Sequence, residues 1–175
     1  MKMSKVSTIL SLVFVIVMAA GVFAPAAMAA PKGDTIVDVA LAVNAQTGEF
    51  SILKAALLAA DPAVIQTLSG NGQFTVFAPT DAAFVALLGE LGMTAEELLS
   101  NQELVTTVLL YHVARGNRDS ADVIGSDRIR TLQRGFLFQD GGVLTDANGR
   151  SANIIATDIP AANGVIHVID RVVLP

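Results

Sequence analysis

The chain has no cysteine, two histidines and one tyrosine, and its 11 lysines and arginines face 16 aspartates and glutamates, a net charge of −5. Each shortage removes a class of function. Without thiols there is no disulfide framework of the kind small exported domains often use, no thiolate-bound metal, and no attachment point for the lipid of a bacterial lipoprotein. His112 and His167 lie on separate elements, no His-Glu-x-x-His motif joins them, and no third ligand is placed beside them, so they make a poor metal site. No Gly-x-Ser-x-Gly elbow marks a hydrolase and no glycine-rich loop opens a helix to cradle phosphate. No Asn-x-Ser/Thr acceptor occurs. The acidic balance, with no cluster of basic residues to offset it, implies repulsion of nucleic acid and anionic lipid.

What is present is a globular composition, 53% hydrophobic and 15% charged, with much of the apolar excess at the N-terminus. Lys2 and Lys5 precede an uncharged run whose centre, Leu12 to Val22, is nearly all apolar, and Ala27-Met28-Ala29 supplies small residues for cleavage. These are the three parts of a secretory signal, expected over residues 1–29. No later segment is long and apolar enough to span a bilayer, so no stable membrane insertion is expected after cleavage. Residues 30–175 suit one domain with one sizeable core.

The first half reads as helical. Asp34 is placed to cap a helix bearing Ile36, Val39, Ala40 and Val43 on one face, with Gly48 at its end. Phe50 to Leu58 and Ala63 to Leu68 give two more helices, divided by Asp61-Pro62. Phe74 to Ala78 is a strand, and Pro79-Thr80-Asp81 opens a helix carrying Phe84, Leu87 and Leu88. Thr94 to Glu97 and Ser100 to Glu103 both fit the capping box, which gives those glutamates structural work. The second half reads as strands: Arg128–Leu132, Phe136–Phe138, Val143–Thr145, Ala152–Ala156 and Val165–Val173. Turns at Asp140-Gly141-Gly142, Asn148-Gly149 and Asn163-Gly164 separate several of them. Helices followed by an antiparallel sheet make an α+β domain.

Three local patterns then coincide. Thr75-Val76-Phe77-Ala78-Pro79-Thr80-Asp81-Ala82-Ala83-Phe84 resembles the first motif of the fasciclin domain family. Tyr111-His112 resembles its central Tyr-His pair. Asn163-Gly164-Val165-Ile166-His167-Val168-Ile169-Asp170 resembles its second motif, and Val172-Val173-Leu174-Pro175 its usual close. The resemblance covers about Thr35 to Pro175, and the chain looks like the small, single-domain, secreted bacterial members. It implies a helical layer packed on an antiparallel β-wedge or sandwich. It also implies an extracellular or periplasmic adhesion or matrix-binding module with no catalytic activity and no cofactor. The expected partner is a cell-surface protein or polysaccharide, together with self-association if two surfaces are to be bridged, and no nucleic acid.

The residues themselves suit a structural role for most of the motif. His167 lies between Ile166 and Val168 on a strand apolar on both faces, where a neutral imidazole needs a partner for each ring nitrogen. Asp81 can accept backbone N–H groups at a helix N-terminus. Asp170-Arg171 marks where the last strand surfaces. Asp146-Ala147-Asn148-Gly149 reads as a hairpin turn, since the rest of a calcium loop is missing. Asp158-Ile159, a pair linked with integrin recognition in some animal members of the family, reads here as a strand-end turn before Pro160. The alternative to adhesion is a small-ligand carrier, with an apolar pocket between helices and sheet lined by Phe74, Phe77, Phe84, Phe136 and Phe138.

Overall fold

A computed structural model describes residues 33–175, and the leader expected over residues 1–29 lies outside them. Seven helices and seven strands follow one another as α1 (Ile36–Thr47), α2 (Ser51–Ala59), α3 (Pro62–Leu68), β1 (Phe74–Pro79), α4 (Asp81–Leu91), α5 (Ala95–Ser100), α6 (Gln102–Tyr111), β2 (Val113–Arg115), α7 (Ser120–Ile124), β3 (Arg128–Arg130), β4 (Phe136–Asp140), β5 (Val143–Thr145), β6 (Ser151–Ala161) and β7 (Gly164–Ile169). The α+β reading holds, with a difference in the sheet. It is mixed, in the order β2-β1-β7-β6-β5-β4-β3, because β1 and β7 run parallel in register from Phe74↔Gly164 to Pro79↔Ile169. An isolated bridge, Ala114↔Thr131, together with Leu132 N–H donating to Val113 O at 2.7 Å, draws the two sheet edges together. The sheet is therefore a wedge close to a barrel.

The central strands β1 and β7 are buried along their whole length. Alternation sends their side chains into two separate cores. Phe74, Val76, Ala78, Ile166 and Val168 meet the helices, among Leu53, Leu57, Phe84 and Leu109. Phe77 and Ile169 point the other way, into the wedge, with Tyr111, Ile129, Leu137, Leu144 and Val173. Both strands are thus buried on each side.

Several local expectations shift by a residue. Helix α1 is capped by Thr35, not Asp34; Thr35 and Asp38 form a reciprocal capping box. The Thr35 hydroxyl and then its backbone N–H hold the Asp38 carboxyl below the usual carboxylate range. The Thr94–Glu97 box on α5 is present, whereas α6 is capped by Asn101, whose Oδ1 accepts from Leu104 N at 3.0 Å; Ser100 instead donates to Glu97 O. Strand β7 ends at Ile169, and residues 172 and 173 continue as buried coil. Strand β2 and helix α7 were not anticipated.

Helix α2 starts in an unusual way. Phe50, its N-cap, lies in the left-handed region (φ 67°) and offers no side-chain cap. The cap comes from Asp81, whose two oxygens accept from Ser51 N at 3.0 Å and Ile52 N at 2.9 Å. Asp81 therefore caps a neighbour, while Thr80 caps Asp81's own helix through Ala83 N. Asp81→Ala is expected to lower the unfolding free energy by about 1–2 kcal/mol, the usual worth of a lost cap at a helix dipole; denaturant unfolding checks this, and Asp81→Asn should recover part of the loss.

Candidate functional site

The motif residues, among them Thr75, Asp81, Tyr111, His112, Asn163, His167 and Asp170, do not form one site. They act as fasteners spread along both cores. Asn163 is fully buried at the β6–β7 turn. Its Oδ1 accepts from Ile36 N at 2.8 Å, its Nδ2 donates to Leu68 O at 2.6 Å and Gly70 O at 2.9 Å, and its carbonyl accepts from Phe74 N at 3.0 Å. The side chain thus joins the start of α1 to the end of α3, and the main-chain carbonyl ties the same residue to the start of β1. Gly164 must be glycine: at φ 153° a Cβ would lie 1.9 Å from Phe74 O. Asp170 surfaces as expected and grips β6, accepting from both the backbone and the side-chain amide of Asn153 at 2.7 Å.

The two histidines are committed to main chain in opposite tautomers. His112 Nδ1–H donates to Val108 O at 2.8 Å and its Nε2 accepts from Val173 N at 3.2 Å. Burial pushes its pKa down to about 4, against the raising effects of the Val108 carbonyl and the Asp146 charge. His167 Nε2–H donates to Arg118 O at 2.9 Å and its Nδ1 accepts from Asp158 N at 3.3 Å. Its ring lies nearly parallel to Phe77, centroids 5.7 Å apart. Tyr111 donates to Phe136 O at 2.7 Å and accepts from Ala147 N at 3.3 Å, and burial raises its pKa. Among the described residues no group of three His, Asp or Glu side chains could hold a metal ion.

Two aspartates outside the motifs do more than their turn sequences suggested. Asp146 is buried; Oδ1 accepts from Asn148 N and Arg150 N, and Oδ2 from Leu174 N at 2.8 Å, which ties the hairpin to residue 174. Arg150 in turn pairs with Glu90 on α4, which Arg171 also reaches at 3.4 Å. Asp158 does not end a strand. It sits inside β6 at a register shift, with φ 60°, and its carboxylate accepts from Ser120 N at 2.7 Å; hydrogen bonding to Ser120, through its side chain first and then its backbone N–H, lowers its pKa.

The carrier alternative meets two obstacles. The cavity between helices and sheet measures about 30 Å³, room for about one water, where small-molecule pockets occupy roughly 300–1,000 Å³. Of the five phenylalanines only Phe77 touches it. Phe136 and Phe138 face solvent, 36% and 49% exposed, because Leu137 between them takes the inward position.

A larger, polar concavity lies elsewhere. Arg115, Arg118, Arg130 and Arg134, with Thr131 and Leu132, line a cleft of about 410 Å³. This corrects the expectation of no basic cluster. The arginines are dispersed in sequence and gather because β2 meets the segment after β3 at the Ala114–Thr131 bridge. Among the described residues none of the four has a carboxylate within 4 Å; the ion pairs there belong to Arg150 and Arg171.

Taken together, the molecule is a wedge-shaped α+β module whose signature polar side chains hold its own main chain. The chain belongs to the fasciclin domain family: the model of the Fasciclin domain matches residues 48–175. It is 41% identical over 145 residues to Protein sll1483 of Synechocystis sp., covering 81% of this chain and 73% of that one. It is 32% identical over 115 residues to the cell surface glycolipoprotein MPB83 of Mycobacterium bovis, covering 66% of this chain and 49% of the relative. In fold it resembles a FAS1 domain pair from the insect cell adhesion molecule fasciclin I, with a TM-score of 0.55 at 19% identity over 67% of this chain and 42% of that one.

Proposed function

We propose that this chain is an exported, non-catalytic binding module of adhesion type, which recognises a cell-surface protein or polysaccharide through its exterior. The observation that carries the reading is the commitment of the motif side chains. Thr75, His112, Asn163 and His167 are buried, and their polar side-chain atoms are engaged by main-chain groups, so neither motif histidine stands open to a substrate as a general base. The leader-like residues 1–29 and the likeness to a cell surface glycolipoprotein and a cell adhesion molecule support the location. Among the described residues no single helix is long and apolar enough to cross a membrane. One module holding one ligand cannot join two surfaces, so bridging requires self-association or a second binding face.

The test is retention of beads carrying the protein on cell-surface material and extracellular polysaccharide, run beside a hydrolase substrate screen. Saturable retention without turnover is expected. Turnover that disappears in a folded His112→Gln or His167→Gln variant would overturn the reading.

A further inference from the structure

We propose that the arginine cleft binds an acidic polysaccharide, a chain of sugars bearing carboxylate or sulfate groups; this rests on the binding-module reading and names the ligand class for it. Four guanidinium groups share one cleft in a chain of net charge −5, and no carboxylate neutralises them among the described residues. Like charges gathered this way repel one another, and an anion in the cleft removes that cost. Arg118 keeps donor capacity in hand: its Nε has no hydrogen-bond partner, and its Nη1 makes only a 3.4 Å contact with Ser126 Oγ. Guanidinium forks match the paired oxygens of carboxylate and sulfate.

The cleft is held from beneath by the family motifs. Thr75 Oγ1 donates to Gly116 O at 2.8 Å and accepts from Arg118 N at 3.0 Å, and His167 donates to Arg118 O. On the opposite wall, Arg134 sits in a tight turn with φ 80°, its N–H donating to Thr131 O at 3.0 Å, while Gln133 N donates to Leu110 O. Both walls are therefore anchored to buried elements, so a ligand would lose little by ordering them.

A polymer of sugars fits better than a lone anion because the charge continues along a ribbon with aromatic faces. Arg130 pairs across strands with Phe136, and Arg128 with Phe138, all four on the outer face. Arg128 lies over the Phe136 ring at 5.1 Å. Exposed phenyl faces suit the C–H faces of sugar rings, with arginines between them for the acid groups. Nucleic acid fits less well: it presents roughly one charge per 1.7 Å of duplex, a density that a net-acidic protein repels overall, whereas a uronate polymer spaces its carboxylates by whole sugars, and neither a duplex nor its phosphates offer sugar C–H faces to the exposed phenyl rings.

The experiment measures binding of the full chain to polygalacturonate, dextran sulfate, neutral dextran and a single-stranded oligonucleotide. Saturable binding to polygalacturonate, to dextran sulfate or to both is expected, weakening as salt rises, with none to neutral dextran; the first two arms tell carboxylate from sulfate recognition. Arg115→Gln/Arg134→Gln, both exposed positions, should weaken it at least about tenfold with an unchanged melting temperature, and Phe138→Ala should weaken it several-fold. Binding that ignores the arginine pair, oligonucleotide binding as tight as glycan binding, or no glycan binding at all would overturn the proposal. Bead retention that survives in the arginine variant would sink the cleft while leaving the binding-module reading intact; absent retention with glycan binding preserved would do the reverse.

Discussion

Asn163→Ala is expected to lower the unfolding free energy by about 4 kcal/mol, enough to bring the thermal midpoint down by about 12 °C in a domain of this size. The substitution strands three main-chain groups at once, the buried Ile36 N–H and Leu68 carbonyl and the partly buried carbonyl of Gly70. Each left without a partner costs about 1–3 kcal/mol, and the side chain also leaves a void. Asn163→Asp is the informative companion. It keeps an acceptor for Ile36 but turns a carboxylate toward two carbonyl oxygens, so it should fall at least as far. Denaturant unfolding of both variants checks this. A loss below about 1 kcal/mol for the alanine variant would show that the turn does not fasten the helices to the sheet.

The second large effect is a pH dependence set by His112. Its folded pKa of about 4 lies below the ordinary 6.5, so the unfolded chain binds the proton more readily. Stability from this residue is complete above about pH 6.5, begins to fall below it, and is lost by about pH 4, in all about 3 kcal/mol. The carboxyls of Asp38 and Asp158, held below the usual 3.8, contribute above that value and lose their share only as pH falls further. The two regimes therefore separate. Unfolding free energies measured from pH 7 to pH 4 for the parent and His112→Gln should differ most at neutral pH and converge near pH 4. A constant gap would contradict burial as the cause.

Much of this was legible where the signal is local. The Thr94–Glu97 capping box, the Gly48 stop and the positive-φ turns each depend on a few adjacent residues, and each is in place. The two-sided burial of the last strand was legible too, because Val165 to Ile169 is apolar on both alternations. What escaped was non-local. The parallel pairing of β1 with β7 joins segments some ninety residues apart. Strand β2 has three residues, too few for a period to show. Phe136 and Phe138 looked like core by residue type, but Leu137 pairs with Ile129 inside the wedge, and a period of two then turns both rings outward. Asp146 has the sequence of an exposed hairpin, and its burial goes with a long-range bond from Leu174 N that no local pattern reveals.

The arginine cleft was hidden by bookkeeping of net charge. Five of the seven arginines fall between residues 115 and 134, a density visible in sequence. Their convergence was not visible, because it depends on the wedge closing at Ala114 and Thr131. The same closure links framework to surface: Thr75 and His167, buried motif residues, fix the main chain of Arg118 at the cleft wall.

In the proposed function the motifs build the domain and the exterior does the binding. The measurement that tests it most directly is a paired comparison of unfolding free energy and bead retention for Tyr111→Phe and Arg115→Gln/Arg134→Gln. Tyr111→Phe should cost about 1–2 kcal/mol of stability, through the lost bonds to Phe136 and Ala147, and retain full binding while folded. The arginine pair should keep its stability and lose retention. A folded Tyr111→Phe protein that no longer binds, beside an arginine variant that still does, would contradict the account.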